Sequence, residues 1–370
     1  MGIFNFKDFI NEKLGISESS LIFADFLESR VYHTFVEFLN SSEKNLDKTD
    51  IVKYTLLKNY IKDKALYADF PVVKFELVLE FKKITSKAFD KAFGKGRKFP
   101  VAVGGSASGF GNKNWGGYSK IVNPIKKVSD IGIVVQMGIE VYIDENLFDI
   151  NNSEHSKRLR DQIGSVIYHE LNHTYEHFKR TTRPAKKGEY RKPLYDRSFN
   201  TALTYADANT WKFPTSIWNK WSRDFLYYIY VSESHELNAN VQQVYYHIKK
   251  YPKDDINDNQ IYKDSVIMTN FNSEIFYNEL LHEISEYYKF ENKEDIERVA
   301  NRLKDMWVST YSKQLTSQKA TPIIPLNTFK KMTCLDFVKY WGNKFNKNGE
   351  YLKKKIGKIK NEFGNNEEVH

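Results

Sequence analysis

A single cysteine, Cys334, serves all 370 residues, so no disulfide can form within the chain and no cysteine set exists for a structural metal. A reducing compartment is the expectation that follows. Long apolar runs are also missing: none approaches the roughly 18 residues that a membrane span requires. The first residues, MGIFNFKDFINEKLG, carry neither a basic leader nor a continuous apolar core followed by small residues, so a secretory signal is not expected. Phe6 stands where a myristoylation motif calls for Ser or Thr. Internal repeats are absent. So are the spaced glycines of a phosphate-binding loop, since no G-x-x-x-x-G-K-[ST] occurs and no G-x-G-x-x-G joins a strand to a helix.

What is present argues for a folded protein. Hydrophobic residues make up 41% and aromatics 15% of the chain, too much for global disorder. At 370 residues it exceeds the usual size of one domain and can bury a sizeable core. The formal charge, 56 − 47 = +9, is spread among many Lys, Asp and Glu. Its densest run is Lys353-Lys354-Lys355 with Lys358 and Lys360, which reads as a solvated helical end. Nucleic acid is not expected as a specific ligand, because diffuse basic charge supplies only nonspecific attraction.

Hydrophobic periodicity predicts an α+β chain with three regions: residues 1–95 mainly helical, 96–250 a core with a small sheet and two long helices, and 251–370 helical with a basic tail. In the first region, SSLIFADFLESRVYHTFVEFLN and KTDIVKYTLLKNYIKDKALYADF read as helices, and His33 as a packed core residue. VVKFELVLEFKKI alternates and reads as a strand. The glycine-rich stretch from Gly94 to Gly117 reads as a flexible flap or hairpin connection. Ile131–Gln136 and Ile139–Ile143 read as two short strands forming an antiparallel pair. A helix is expected from about Glu154, another over Phe225–Lys249, and more after Pro252.

The chemistry is concentrated in Gly164–Phe178, GSVIYHELNHTYEHF. His169 and His173 are four apart, so on a helix they project one turn above each other and can share a metal ion. Glu170 lies about 100° round the helix from His169, where its carboxylate can hold and deprotonate a water. This H-E-x-x-H has helical spacing, no proline, and an apolar face from Val166, Ile167, Leu171 and Tyr175. Zinc needs a third protein ligand. His177 would be badly angled for a tetrahedron. A metzincin continuation is excluded by Glu176 and Lys179, where Gly and His are required. His282-Glu283-x-x-Glu286 has similar spacing but no second His, and reads as a charged amphipathic face.

The segment Glu236-Leu237-Asn238-Ala239-Asn240 has the form E-x-x-A-N and, together with H-E-x-x-H, resembles the gluzincin type of zincin metallopeptidase over about Val134–Ile248. The resemblance implies a zincin-like core and a Zn2+ ion held by His169, His173 and Glu236. It makes Ala239 the residue that lets the two helices approach, and Asn240 the orienter of a zinc histidine. Asn240 stands where the family commonly has Asp; its carbonyl can still accept an imidazole N–H, though without the charge. Glu233, one turn earlier, is the rival ligand, but only Glu236 has Ala three residues on. The implied activity is hydrolysis of peptide bonds in a protein or peptide substrate, with Glu170 as general base. Candidates for stabilising the oxyanion are His235, Tyr230 and Tyr227. Zincins set an edge strand before the metal-binding helix, which makes Ile139, Val141 and Ile143 the expected substrate edge. Thr181–Asp224, within the 236 − 173 = 63 positions separating His173 from Glu236, is long enough for a lid. The expected location is cytoplasmic or virion-associated. The alternative function is a structural phage or mobile-element component that retains a zincin-like domain and meets an assembly partner through its helical termini.

Overall fold

Alternation in VVKFELVLEFKKI builds the strand on which the sheet forms. In β2 (Val72–Ile84), Leu77, Leu79 and Phe81 are fully buried while Glu76, Val78, Glu80 and Lys82 line the other face. The structure is a computed structural model that describes residues 18–52, 72–93, 99–111, 133–182, 213–251, 255–317 and 326–364. Among these the protein is mixed α+β, mostly helical, with one four-stranded mixed sheet of order β1-β2-β4-β3. β1 is Asn45–Val52, β3 is Val101–Gly111 and β4 is Ile133–Asp144. β2 pairs antiparallel with β1 and parallel with β4, and β3 pairs antiparallel with β4. The register aligns Leu79 with Ile139 and Phe81 with Val141, so the buried residues of the two central strands share one face.

Helix α1 (Glu18–Leu39) packs on that face, its Phe35 and Phe38 rings lying 5.1 and 5.8 Å from Phe81. A short helix, α2 (Ser86–Phe93), follows β2. Helix α3 (Ser153–Thr182) starts where Asn152 Oδ1 accepts the backbone N–H groups of Glu154 and His155 at 2.9 and 3.3 Å, an N-cap. Leu159, Ile163 and Ile167, spaced at four, are fully buried along its inner stripe.

Several sequence expectations are corrected by the fold. Residues 45–52, which overlap the second expected N-terminal helix, form β1 instead, because pairing along the whole of β2 overrides a weak helical pattern; residues 53–71 lie outside the described part. The two short strands expected at 131–136 and 139–143 are one strand. Gly138 lies within its ladder, opposite Val78 and Ser106, and a Cβ there would meet Ser106 Oγ at 2.5 Å, so this glycine serves close packing rather than a turn. The glycine-rich stretch, read as a flap, contributes the regular strand β3; residues 94–98 and 112–117 lie outside the described part.

The expected helix over Phe225–Lys249 is interrupted. Helix α4 (Thr215–Asn219), a π-helical turn Lys220–Leu226 and α5 (Tyr227–Val231) end at Ser232, and α6 (Ser234–Lys250) begins afresh. The break is stabilised by Asn348, whose Nδ2 donates to the Ser232 carbonyl at 3.2 Å. Beyond it come α7 (Gln260–Thr269), α8 (Ser273–Tyr288), α9 (Lys293–Ser317), α10 (Leu326–Lys331) and α11 (Cys334–Gly364), the helices expected of the C-terminal region. No described helix is long and apolar enough to cross a membrane.

The chain divides into two units interleaved in sequence. One comprises Met1–Tyr190, Asn238–Lys253 and Glu362–His370, and the other Arg191–Leu237 and Asp254–Asn361. The first contains the sheet, α1 and α3, so residues 1–95 contribute two strands as well as helices. The boundary falls inside α6, which is one continuous helix from Ser234 to Lys250.

Candidate metal centre

The two histidines sit where helical spacing puts them. His169 and His173 occupy successive turns of α3, with their Nε2 atoms 3.1 Å apart. Two imidazoles bound to one tetrahedral ion at about 2.05 Å each would hold their nitrogens roughly 3.3 Å apart. The observed separation therefore suits a shared cation, and equally a hydrogen bond in which one ring donates and the other accepts. Glu236 adds a third donor beside the pair. His169, His173 and Glu236 form the one group among the described residues that could hold a metal ion, with a ligand atom from each lying within 4.8 Å of the others. Glu236 is the third residue of α6, four positions past the turn at Ser232, so the helix break determines where this carboxylate emerges.

Burial makes the cluster chemically unusual. Glu236 and His173 are 4% and 6% exposed, and Glu170, the neighbour of His169, is 7% exposed. Carboxylates and imidazoles so placed need compensating hydrogen bonds or charge. Nitrogen and carboxylate donors in a two-His, one-Glu set suit a divalent cation of the zinc kind. The donor set thus fits the expected Zn2+. Glu233 is not part of the group.

The surrounding residues fall as follows. Ala239, three positions along α6, is fully buried, as a close-packing residue must be, and Asn240, one turn from Glu236, is 9% exposed. Tyr230 is half-buried on α5, while the side chain of His235 lies outside the described residues. The Tyr227 hydroxyl donates to Asp264 Oδ2 at 3.2 Å. Burial first, then the Asp264 charge and this bond, push the phenol of Tyr227 up, with Glu236 adding a smaller contribution of the same sign. Tyr227 is therefore a neutral donor at neutral pH, already engaged by Asp264. Burial likewise raises Asp264, against the bonds from Gln260 and Tyr227. His282 and Glu286 are exposed on α8 and join no metal-holding group among the described residues. Most of the expected lid, residues 183–212, lies outside the described part.

The expected substrate edge is overturned. Ile139, Val141 and Ile143 lie on β4, which pairs with β2 on one side and β3 on the other, and they are 0%, 0% and 3% exposed. They are core residues, because their apolar side chains face the packed side of an interior strand. The outermost strand beside β4 is β3, and it supplies a site residue that the sequence reading missed. Gly105 lies opposite Ile139 on the face toward α3, where an added Cβ would meet Val166 Cγ1 at 2.3 Å and Glu170 Cγ and Oε1 at 2.8 and 3.0 Å. Gly105 is nevertheless exposed, as are Gly104 and Ser106. Only a residue without a side chain allows the β3 backbone to pass this close to Glu170. The glycine pair was the available signal, but it suggests flexibility when read without the helix it faces.

The chain matches no family model, no curated protein and no solved structure. Its functional reading therefore rests on the geometry of this site.

Proposed function

We propose that the protein is a zinc-dependent metallopeptidase with a zincin-like core, in which His169, His173 and Glu236 hold the ion and Glu170 is the general base. The observation that carries the reading is the convergence of Glu236 on the histidine pair from a separate helix, 63 positions along the chain. Chance histidines on a surface helix have no reason to meet a buried carboxylate.

A bound zinc ion supplies Lewis acidity, lowering the pKa of a coordinated water toward neutrality and polarising the scissile carbonyl. The chain's own groups do the rest. One of the Glu170 carboxylate oxygens accepts the proton of the attacking water and delivers it to the leaving amine nitrogen. Asn240, on the same face of α6 as Glu236, is suited to accept an imidazole N–H through its amide oxygen and so fix that ring. The β3 backbone around Gly104–Ser106, at the edge of the described sheet and beside Glu170, can bind an extended peptide by strand addition. That role passes from β4 to β3.

The experiment is elemental analysis of the native protein together with proteome-wide cleavage-site profiling against Glu170→Gln. Stoichiometric zinc with chelator-sensitive, Glu170-dependent cleavage is the expected result. Metal-free protein, or incorporation into an assembly without peptide cleavage, would overturn it in favour of a structural role.

The β3 contact yields a sharper expectation. Val166 is β-branched and stiff in a helix, so Gly105→Ala displaces Glu170 or moves β3 away from α3. A misplacement of about 1 Å at a reacting group costs on the order of 10²-fold in rate. The variant should keep its zinc and lose about that much of kcat/KM, as measured on any peptide the native enzyme cleaves. Native kcat/KM in Gly105→Ala would remove β3 from the site.

A further inference from the structure

We infer that a polar network centred on the buried Glu28 of α1, with Asp25 as a second arm, reaches α3 and α6 and positions the two ligand-bearing helices, setting where Glu236 meets His169 and His173. The inference rests on the metallopeptidase reading of that cluster.

Glu28 is the centre of the network. It is 5% exposed, and its Oε1 accepts from Arg160 Nε of α3 at 2.9 Å and from Lys250 Nζ of α6 at 3.0 Å, while its Oε2 accepts from Tyr246 Oη of α6 at 2.9 Å. Lys250 Nζ also donates to Tyr246 Oη at 2.6 Å and lies 3.5 Å from Asp161 of α3. A second arm reaches the site more directly. Tyr168, the residue before His169, donates its hydroxyl proton to Asp25 Oδ1 at 2.9 Å, and its ring packs 4.7 Å from that of Tyr246. The rotation of α3 about its axis is thus tied down one residue from a ligand.

Gly164 of α3 faces the far end of a side chain from α6. A Cβ at this position would lie 2.1 Å from Tyr246 Oη and 2.2 Å from Tyr246 Cζ, so any side chain here displaces the Tyr246 ring and its hydroxyl. Restoring ordinary contact needs a shift of about 1 Å. Tyr246 is ten residues from Glu236, about 15 Å along the helix axis. Metal–ligand distances tolerate only about 0.2 Å. A helix displaced at Tyr246 therefore carries Glu236 out of bonding range unless it bends.

Stability alone is a poor account of this arrangement. The cations that reach Glu28 keep contact with water, and ion pairs of that kind contribute little net stability. What directional bonds from one carboxylate to two helices add is a unique relative placement. The charges close on themselves, with Asp25, Glu28 and Asp161 facing Arg160, Lys249 and Lys250.

Zinc affinity measured by chelator competition on full-length protein, alongside apo-protein melting and circular dichroism, tests the inference. Gly164→Ala and Tyr246→Phe should each remain folded while binding zinc 10- to 100-fold more weakly, the range expected when support around metal ligands is lost. A purely stabilising role would lower apo melting and leave the affinity of the folded protein unchanged. Folded variants with native affinity would therefore overturn the inference. Should Gly164→Ala not fold, Tyr246→Phe decides, since it keeps the ring and removes only the hydroxyl. Native protein that binds no zinc would instead defeat the metallopeptidase reading and, with it, the inference.

Discussion

Glu170→Gln is expected to keep one zinc per chain and to lose peptide hydrolysis by about 10³- to 10⁴-fold, the upper range for removal of a general base. The substitution preserves size and one acceptor oxygen, so packing of the side chain beside Gly105 survives. What disappears is the basic carboxylate. Because Glu170 is 7% exposed and flanked by β3, bulk water cannot easily substitute as proton acceptor. Single-turnover cleavage of a peptide identified by profiling, with metal content measured on the same sample, separates base from ligand. Retained cleavage in Glu170→Gln would remove the assigned base. Loss of both zinc and cleavage would make Glu170 part of the metal-holding set.

His173→Ala should have the larger effect on the metal. It removes one of three protein donors, leaving an imidazole and a carboxylate, and zinc should fall from stoichiometric to background on elemental analysis. Activity should vanish with it. Metal removal by chelator should also destabilise the native protein, since a ligand at about 1,000 times its dissociation constant contributes roughly 4 kcal/mol. The melting temperature should drop on chelation and recover with added zinc. His173→Ala, by contrast, should show no chelator-dependent shift. Acidification works in the same direction, because ligation requires neutral imidazole and ionised carboxylate, so zinc is released as protons compete for those donors. Zinc retained at full stoichiometry by His173→Ala would place the ion elsewhere.

The candidate site divides cleanly between what spacing reveals and what folding decides. His169, Glu170 and His173 were legible because an α-helix repeats every 3.6 residues, and a local period fixes which side chains share a face. The cap at Asn152 and the buried stripe of Leu159, Ile163 and Ile167 follow the same local rule. Glu236 was legible only as a member of a pattern. Its meeting with the histidines depends on the break at Ser232 and on the approach of α3 and α6 at Gly164, neither of which is a periodicity.

The strands were less readable. β2 announced itself through alternation, but β1 carries a pattern that a helix could also satisfy, and only pairing with β2 selected the strand. The glycine-rich stretch that includes β3 reads as a flap, and Gly138 falls between the two short strands expected there. In the sheet, Gly105 and Gly138 are places where a neighbour comes too close for a Cβ, which is a property of the neighbour and not of the glycine. The exchange of β4 for β3 as the outer strand has the same origin, since strand order is a matter of long-range pairing.

By itself the sequence determined the α+β character, the absence of any disulfide within the chain, the placing of His169 and His173 on one face of α3, and Glu236 as a candidate partner carboxylate. The tertiary structure alone decided which strand borders the site, that Gly105 rests against Glu170, and that Asp25 and Glu28 of α1 reach both ligand helices. Local propensity acts over a few residues, whereas these contacts join positions from 65 to more than two hundred apart, where burial and steric fit choose among arrangements that the chain's periodicity leaves equally open.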